Sequence, residues 1–390
     1  MLLSHGFTLR KSKCRVCGKE DSLISHPLDI CLDCIRDNPK ASIPLALETH
    51  AKVRSKYGLP PTPPKTPKGI KCMLCSNECQ LGEFEVGYCG LKKNVDGKLI
   101  SLSTPTSAAM YAYKDPQITN CCAAWFCPAT GAGYPKYSYT PGPEYGYYNY
   151  AVFFYGCNFS CLFCQNFSHK NVERAPIYSV SHALYEVLKD PSISCVCFFG
   201  GSPEPSLPFA LNLSRQLIEK SNRILRICFE WNGCGNPKLV EQAAYYALVS
   251  GGNIKFDLKA FSEALSIALS GVSNKRAYEN FELIYKKFYK ERPEVPVLNA
   301  TTLLVPGYVD EQEVEAIAQF IAKLDDQIPY SLLVFYPTFY MSSLPITPLK
   351  QAIRCYLVAK RHLRRVNVGN LHLLGLHTMK QFEEKCKLEA

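Results

Sequence analysis

NYAVFFYGCNFSCLFCQN, residues 149–166, runs from a short apolar strand straight into three closely spaced cysteines. The spacing Cys157-x3-Cys161-x2-Cys164 lets three thiolates wrap three corners of an iron–sulfur cube, whereas a fully ligated cluster needs four. One iron would then stay open to a further ligand. A tetrahedral zinc site would need a fourth protein ligand, and the nearest histidine, His169, lies five residues past Cys164. Zinc completed by His169, or three unrelated core cysteines, are the competing readings of this loop.

Downstream, apolar bursts alternate with amphipathic stretches. Strands are expected at 149–156, 195–201, 226–232, 254–260, 296–305 and 330–337, with helices between them at about 181–190, 206–221, 237–250, 277–291 and 310–324. Short β-rich runs alternating with helical ones predict parallel β-α units. A helix at 348–363, a short strand at 365–369 and a closing helix at 377–386 follow. Six units are too few to close an eight-stranded barrel. The expected fold class is therefore α/β: a partial (β/α)6 TIM-like barrel with a small Cys-rich, metal-binding N-terminal region. Its chemistry belongs at the C-terminal strand ends.

Composition narrows the class further. Among 390 residues, 47% are hydrophobic and 20% charged, a globular balance able to bury a sizeable core without stapling. Twenty cysteines are then anomalous, and fourteen of them precede residue 165. The first residues, MLLSHGFTLRKSKC, carry no long apolar run, and the most apolar short run, 151–156, cannot span a bilayer. The expectation is a cytoplasmic protein without a membrane partner, in which this many thiols serve metal or cluster ligation rather than disulfides. The boundaries read as a zinc-ribbon-like domain over 1–58, a Pro-rich linker over 59–69 (LPPTPPKTPKG) acting as an extended spacer, a Cys-rich lead-in over 70–145, and the barrel over 146–390.

The three-cysteine loop GCNFSCLFCQN (156–166) resembles that of the radical S-adenosylmethionine (SAM) enzymes. Residues 70–390 resemble the pyruvate formate-lyase activating enzyme family, most closely its AmmeMemoRadiSam-type relatives, through CMLCSNECQLGEFEVGYCGLKKN (72–94), FFGGSPEP (198–205), DLKAFS (257–262), TTLLVPG (301–307) and FYPTFYMSSLP (335–345). The resemblance implies a [4Fe-4S] cluster on Cys157, Cys161 and Cys164, with SAM chelating the open iron. Reductive cleavage of SAM would give a 5′-deoxyadenosyl radical that abstracts hydrogen from a substrate. It implies Gly200 and Gly201 for the SAM amino group, with Glu204 ending a motif that is often GGE but is interrupted here by Ser202-Pro203. It implies Glu230 on the ribose hydroxyls, since a carboxylate accepts from both hydroxyls of a diol, with Asn232 as neighbouring candidate on the same strand face. Lys259 would meet the SAM carboxylate, and Asp257 on the same face would hold Lys259 or contact substrate; a purely structural ion pair is the other reading. At the sixth strand the family usually carries a histidine. This chain has Phe335-Tyr336-Pro337, so Tyr336 can stack and hydrogen-bond there but supplies no base near neutral pH.

Cys14-x2-Cys17 and Cys31-x2-Cys34, separated by 13 residues, have zinc-ribbon or treble-clef spacing and suit a closed structural zinc site. Cys72, Cys75, Cys79 and Cys89 suit a second zinc or an auxiliary cluster. Cys121, Cys122 and Cys127 receive no role, and Cys195, Cys197 and Cys228 read as small core residues. The tyrosines crowded into 134–155 read as packing aromatics rather than a base-stacking platform. An electron donor of ferredoxin or flavodoxin type is an implied partner. A protein substrate, as in glycyl-radical-enzyme activation, is implied by the resemblance. RNA or a small metabolite competes with it, the former on the net charge of +10. A non-catalytic multi-zinc nucleic-acid adaptor is the reading from another class, and the intact cysteine loop and Lys259 oppose it.

Overall fold

The computed structural model describes residues 11–389. The first ten residues of the expected 1–58 domain, and with them much of the signal-peptide reading, lie outside the described residues. Three small ribbons dominate the amino-terminal part: β1 (Ser12–Lys13) with β2 (Glu20–Asp21), β3 (Ile70–Lys71) with β4 (Gln80–Leu81), and β5 (Lys92–Val95) with β6 (Lys98–Ser101). Helices α1 (Leu32–Asp37) and α2 (Pro39–Ser55) lie between the first and second ribbons. Pro39 opens α2, where a missing N–H costs nothing.

One nine-stranded sheet forms the rest. Its order is β15-β14-β13-β12-β11-β10-β8-β7-β9. Seven strands run parallel: β8 (Tyr148–Phe154), β10 (Ile193–Gly200), β11 (Arg226–Trp231), β12 (Ile254–Asp257), β13 (Leu298–Leu304), β14 (Tyr330–Val334) and β15 (Val366–Gly369). The two ends of the sheet do not pair, so the barrel is partial. Two strands absent from the sequence expectation extend its first edge: β7 (Ser107–Pro116) pairs antiparallel with β8 and with the short β9 (Ile177–Ser179). The sheet thus reaches back into the segment read as a lead-in.

Helices α3 (Val180–Lys189), α4 (Leu207–Lys220), α5 (Pro237–Ser250), α6 (Glu263–Ser270), α7 (Lys275–Phe288), α8 (Glu311–Leu324), α9 (Leu349–His362) and α10 (Met379–Glu389) fill the connections. Their ends are chemically marked. Ser262 caps α6 by accepting from Leu265 N, and Gly271 closes it at φ +78°, a conformation that excludes most side chains. Asp310 caps α8 by accepting from Glu313 N. Among the described residues no helix is long and apolar enough to cross a membrane, and none of the cysteines forms a disulfide.

The amino-terminal helices are docked on the barrel. The Tyr308 hydroxyl donates to Ile30 O and accepts from Ser25 N, each at 3.0 Å. Arg36 forks onto Asp310 at 2.7 and 2.6 Å. His50 Nε2 meets the Ala268 carbonyl of α6 at 3.0 Å. The Pro-rich 59–69 stretch is a strap rather than a free spacer. Arg54 Nε donates to Pro60 O at 2.5 Å, Thr66 N donates to Gln80 O at 3.0 Å and Thr66 Oγ1 donates to Glu85 at 2.6 Å.

Candidate active site

Gly156, at φ +76°, turns the chain from β8 into the three-cysteine loop, and a Cβ there would meet Leu91 and the Cys89 carbonyl. The loop is then held by backbone. Ser160 N donates to Ser270 O at 2.8 Å and Leu162 N to Leu269 O at 3.0 Å, both at the C-terminal end of α6. Cys161 Sγ lies 3.3 Å from Ser270 Oγ. Asn158, inside the loop, exchanges two side-chain hydrogen bonds with Asn232, at 3.2 and 2.7 Å. Asn232 also donates to Ser202 Oγ at 2.8 Å, and Ser202 donates to the Glu204 carboxylate, which accepts in turn from Gly233 N at 2.8 Å. One polar chain therefore ties the cysteine loop to the ends of β10 and β11.

The three cysteines line a cavity of about 220 Å³ at the C-terminal strand ends, together with Gly200, Gly201, Glu230, Asn232, Asp257 and Lys259. Strand alternation explains the gathering, because Asp257 and Lys259 leave β12 on the same side and form an ion pair. Burial opposes the Lys259 charge, but Asp257 and the thiols of Cys161 and Cys164 outweigh it and hold the lysine above its usual pKa. A Cβ at Gly201 would overlap the Gly156 carbonyl and His169, so the glycine is needed for the loops to approach.

Two sequence-derived candidates sit differently. Glu204 is fully buried behind the cavity wall, and desolvation pushes its carboxyl up to about 7 against the hydrogen bond from Ser202. Ser202 lines the cavity in its place. Tyr336 is 53% exposed and is not among the lining residues. The structure leaves it apart from the other candidates.

Lys170 is the residue that the sequence reading missed. It is 1% exposed, and its ammonium has no hydrogen-bond partner among the described residues. Burial lowers its pKa, while the charges of Cys164, Cys157 and Cys161 pull the other way. A buried cation without a counter-charge is costly, and an anionic group held by those three sulfurs would supply one. The donor set thus fits an iron–sulfur cluster: three sulfurs lining one cavity, and a buried cation within charge range of them. Burial also pushes the Cys164 thiol up to about 11 in the iron-free chain, assisted by the neighbouring Cys161 charge.

The other cysteine groups also gather. The ligand atoms of Cys14, Cys17, Cys31 and Cys34 all lie within 4.8 Å of one another, the one such group of metal-binding side chains among the described residues. Cys72, Cys75, Cys79 and Cys89 line a single cavity of about 10 Å³ beside the buried Lys92.

With this geometry in view, comparison with known proteins gives the class. Residues 151–321 match the family model of the Radical SAM superfamily, so the partial barrel carries a radical SAM domain. That family implies a [4Fe-4S] cluster and SAM. Within the class, the chain is similar to a Methanocaldococcus jannaschii protein provisionally named a glycyl-radical enzyme activating enzyme, at 27% identity over 46% of this chain and 64% of that protein. It is also similar to the isethionate sulfite-lyase activating enzyme of Desulfovibrio desulfuricans, at 31% identity over 35% of this chain and 40% of that protein. The matched segments thus span under two thirds of these relatives' own lengths. Among solved structures, Streptococcus suis SuiB bound to the precursor peptide SuiA aligns with a TM-score of 0.42 at 14% identity, covering 56% of this chain and 47% of that one.

Proposed function

We propose that this protein is a radical SAM enzyme whose substrate is a protein partner, as in the activation of a glycyl-radical enzyme. The observation that carries the reading is the convergence of Cys157, Cys161, Cys164, Gly200, Gly201, Glu230, Asn232, Asp257 and Lys259 on one cavity, with the buried, unpartnered Lys170 within charge range of the three cysteines. When bound, the cluster and SAM supply one-electron cleavage of the sulfonium and a radical able to abstract hydrogen. The chain's own part is positional. Cys157, Cys161 and Cys164 hold three corners of the cluster, and Lys170 balances its charge from behind. Lys259, kept charged by Asp257, meets the SAM carboxylate; Gly200, Gly201 and Ser202 present backbone and hydroxyl to its amino group. Glu230 and Asn232 take the ribose side. The cluster also calls for an electron donor of ferredoxin or flavodoxin type.

The protein-substrate reading rests on the names of the two curated relatives, both activating enzymes. For the amino-terminal cysteines we assign zinc to Cys14, Cys17, Cys31 and Cys34, because four sulfurs gathered around one point match a closed tetrahedral site. Cys72, Cys75, Cys79 and Cys89 line one small cavity but do not gather within 4.8 Å as the Cys14 group does, so no single-ion site is assigned to them.

The test is anaerobic reconstitution with iron and sulfide, then dithionite and SAM. 5′-Deoxyadenosine should form, and serine at Cys157, Cys161 or Cys164 should abolish it; retained cleavage would defeat the assignment. Adding a glycyl-radical enzyme polypeptide from the same genome should give a protein-borne organic radical by electron paramagnetic resonance (EPR). Failure of that signal, with SAM cleavage stimulated by tRNA instead, would move the substrate to RNA.

A further inference from the structure

Below the SAM-side cavity, the barrel lumen holds a second concentration of sulfur. β10 alternates, so Cys195 and Cys197 point to one face, and Cys228 of β11 pairs beside Cys197 in register. These three form a buried cluster of their own, apart from the main apolar core. A core cysteine packs among aliphatic neighbours; these instead line a cavity of about 490 Å³. The loop after β7 crosses beneath and adds Cys121 and Cys127 to the same wall. Cys195 and Cys228 have their sulfurs 3.7 Å apart.

The charge in the middle of this group is Lys255. Its side chain is 3% exposed, and its ammonium lies 3.0 Å from Cys121 Sγ and 3.4 Å from Cys197 Sγ. Glu230 is 3.3 Å away on the next strand. An ammonium among thiols favours thiolates, the form that binds metal. The size of the space decides what kind of centre fits. No three of these sulfurs gather within 4.8 Å as the Cys14 group does, so they do not converge on a single ion. Sulfurs spread around a large, cation-bearing cavity match a polynuclear group.

We propose that the barrel lumen is a binding site for an additional iron–sulfur cluster, held by four sulfurs drawn from Cys121, Cys127, Cys195, Cys197 and Cys228. Lys255 faces the cluster and offsets its negative charge. Gln165, Asn166, Phe199 and Glu230 line both this cavity and the SAM-side one. The cluster therefore stands on the wall of the space open to a substrate. The site does not depend on SAM cleavage, and its test can succeed or fail independently of that reaction.

The full chain with Cys157→Ala, Cys161→Ala and Cys164→Ala together is reconstituted anaerobically with ferrous iron and sulfide alone. Roughly four irons per chain and a dithionite-dependent EPR signal should remain; an iron-free protein would overturn the site. On that background the pair Cys195→Ser and Cys228→Ser is added. Any four of the five cysteines include at least one of this pair, so iron loss or an altered EPR line shape is expected. An unchanged iron count and spectrum would assign the residual iron elsewhere and overturn the proposal. Serine keeps the size of the side chain, and circular dichroism of the same samples checks that the fold is intact.

Discussion

Lys259 is held charged in a site that otherwise disfavours charge, and Asp257 does the holding. Removing the ammonium by Lys259→Met leaves the SAM carboxylate facing the partly exposed Asp257 carboxylate. With one member of the pair partly exposed, losing the ammonium costs about 1 kcal/mol, so SAM binding to the reconstituted enzyme should weaken roughly fivefold by equilibrium dialysis. Glu204 makes the opposite case. Its carboxyl, raised from 4.5 to about 7 by burial, is protonated in the folded chain over a range where it ionises in the unfolded one. The resulting stability is fully present below about pH 4.5 and is lost as pH rises through 7. Between those limits the iron-free protein should lose on the order of 3 kcal/mol through this residue. Urea titrations of wild type and Glu204→Gln should differ by that pH-dependent amount, and parallel pH profiles would refute it.

At the level of elements, each cysteine group is set by a different local structure. Cys31 precedes α1 and Cys34 lies within it, while Cys14 and Cys17 come from the turn between β1 and β2. The ribbon strands have two residues each and α1 has six, so the zinc we assign there is a structural staple. Cys31→Ser should lower zinc content by about one per chain and expose the α2 amides to hydrogen exchange, while the barrel amides stay protected. The parallel strands and most barrel helices were legible in the sequence because apolar bursts and amphipathic stretches alternate there. β7 and β9 were not, since an antiparallel edge needs no helix to announce it. The lumen cysteines are buried as the sequence reading expected, but their shared face was not legible. Cys195, Val196 and Cys197 look uniformly apolar along the chain, and only the period of two puts both sulfurs on the inner face. Lys255 went unread, although it alternates with Asp257 and Lys259 along the same strand. Lys170 had no such pattern, because its role comes from full burial within charge range of the three loop cysteines.

Across the whole molecule, the bottom of the barrel is closed by the 117–147 loop, and one buried ion pair ties that loop to the sheet. Arg226, at the start of β11, donates to Glu144 at 2.8 and 2.5 Å, to Tyr137 O at 3.0 Å and to Ser194 Oγ at 2.8 Å. Both side chains are essentially inaccessible, at 2% and 0%. Burial disfavours the Arg226 charge, and Glu144 more than restores it. Replacing a buried ion pair by apolar groups is often tolerated, but removing one partner strands the other charge. Glu144→Gln should therefore destabilise the chain by about 3–5 kcal/mol. The double variant Glu144→Gln with Arg226→Met should recover part of that loss, because no unpaired charge remains. Because the same loop carries Cys121 and Cys127, the single variant should also loosen the wall of the lumen. Chemical denaturation of the iron-free chain reads the energy, and thiol labelling of Cys121 and Cys127 reads the loop. Equal labelling in wild type and Glu144→Gln would mean that the loop is held by its other contacts, the Tyr139–Tyr147 stack and the Trp125 indole on Ser331 among them.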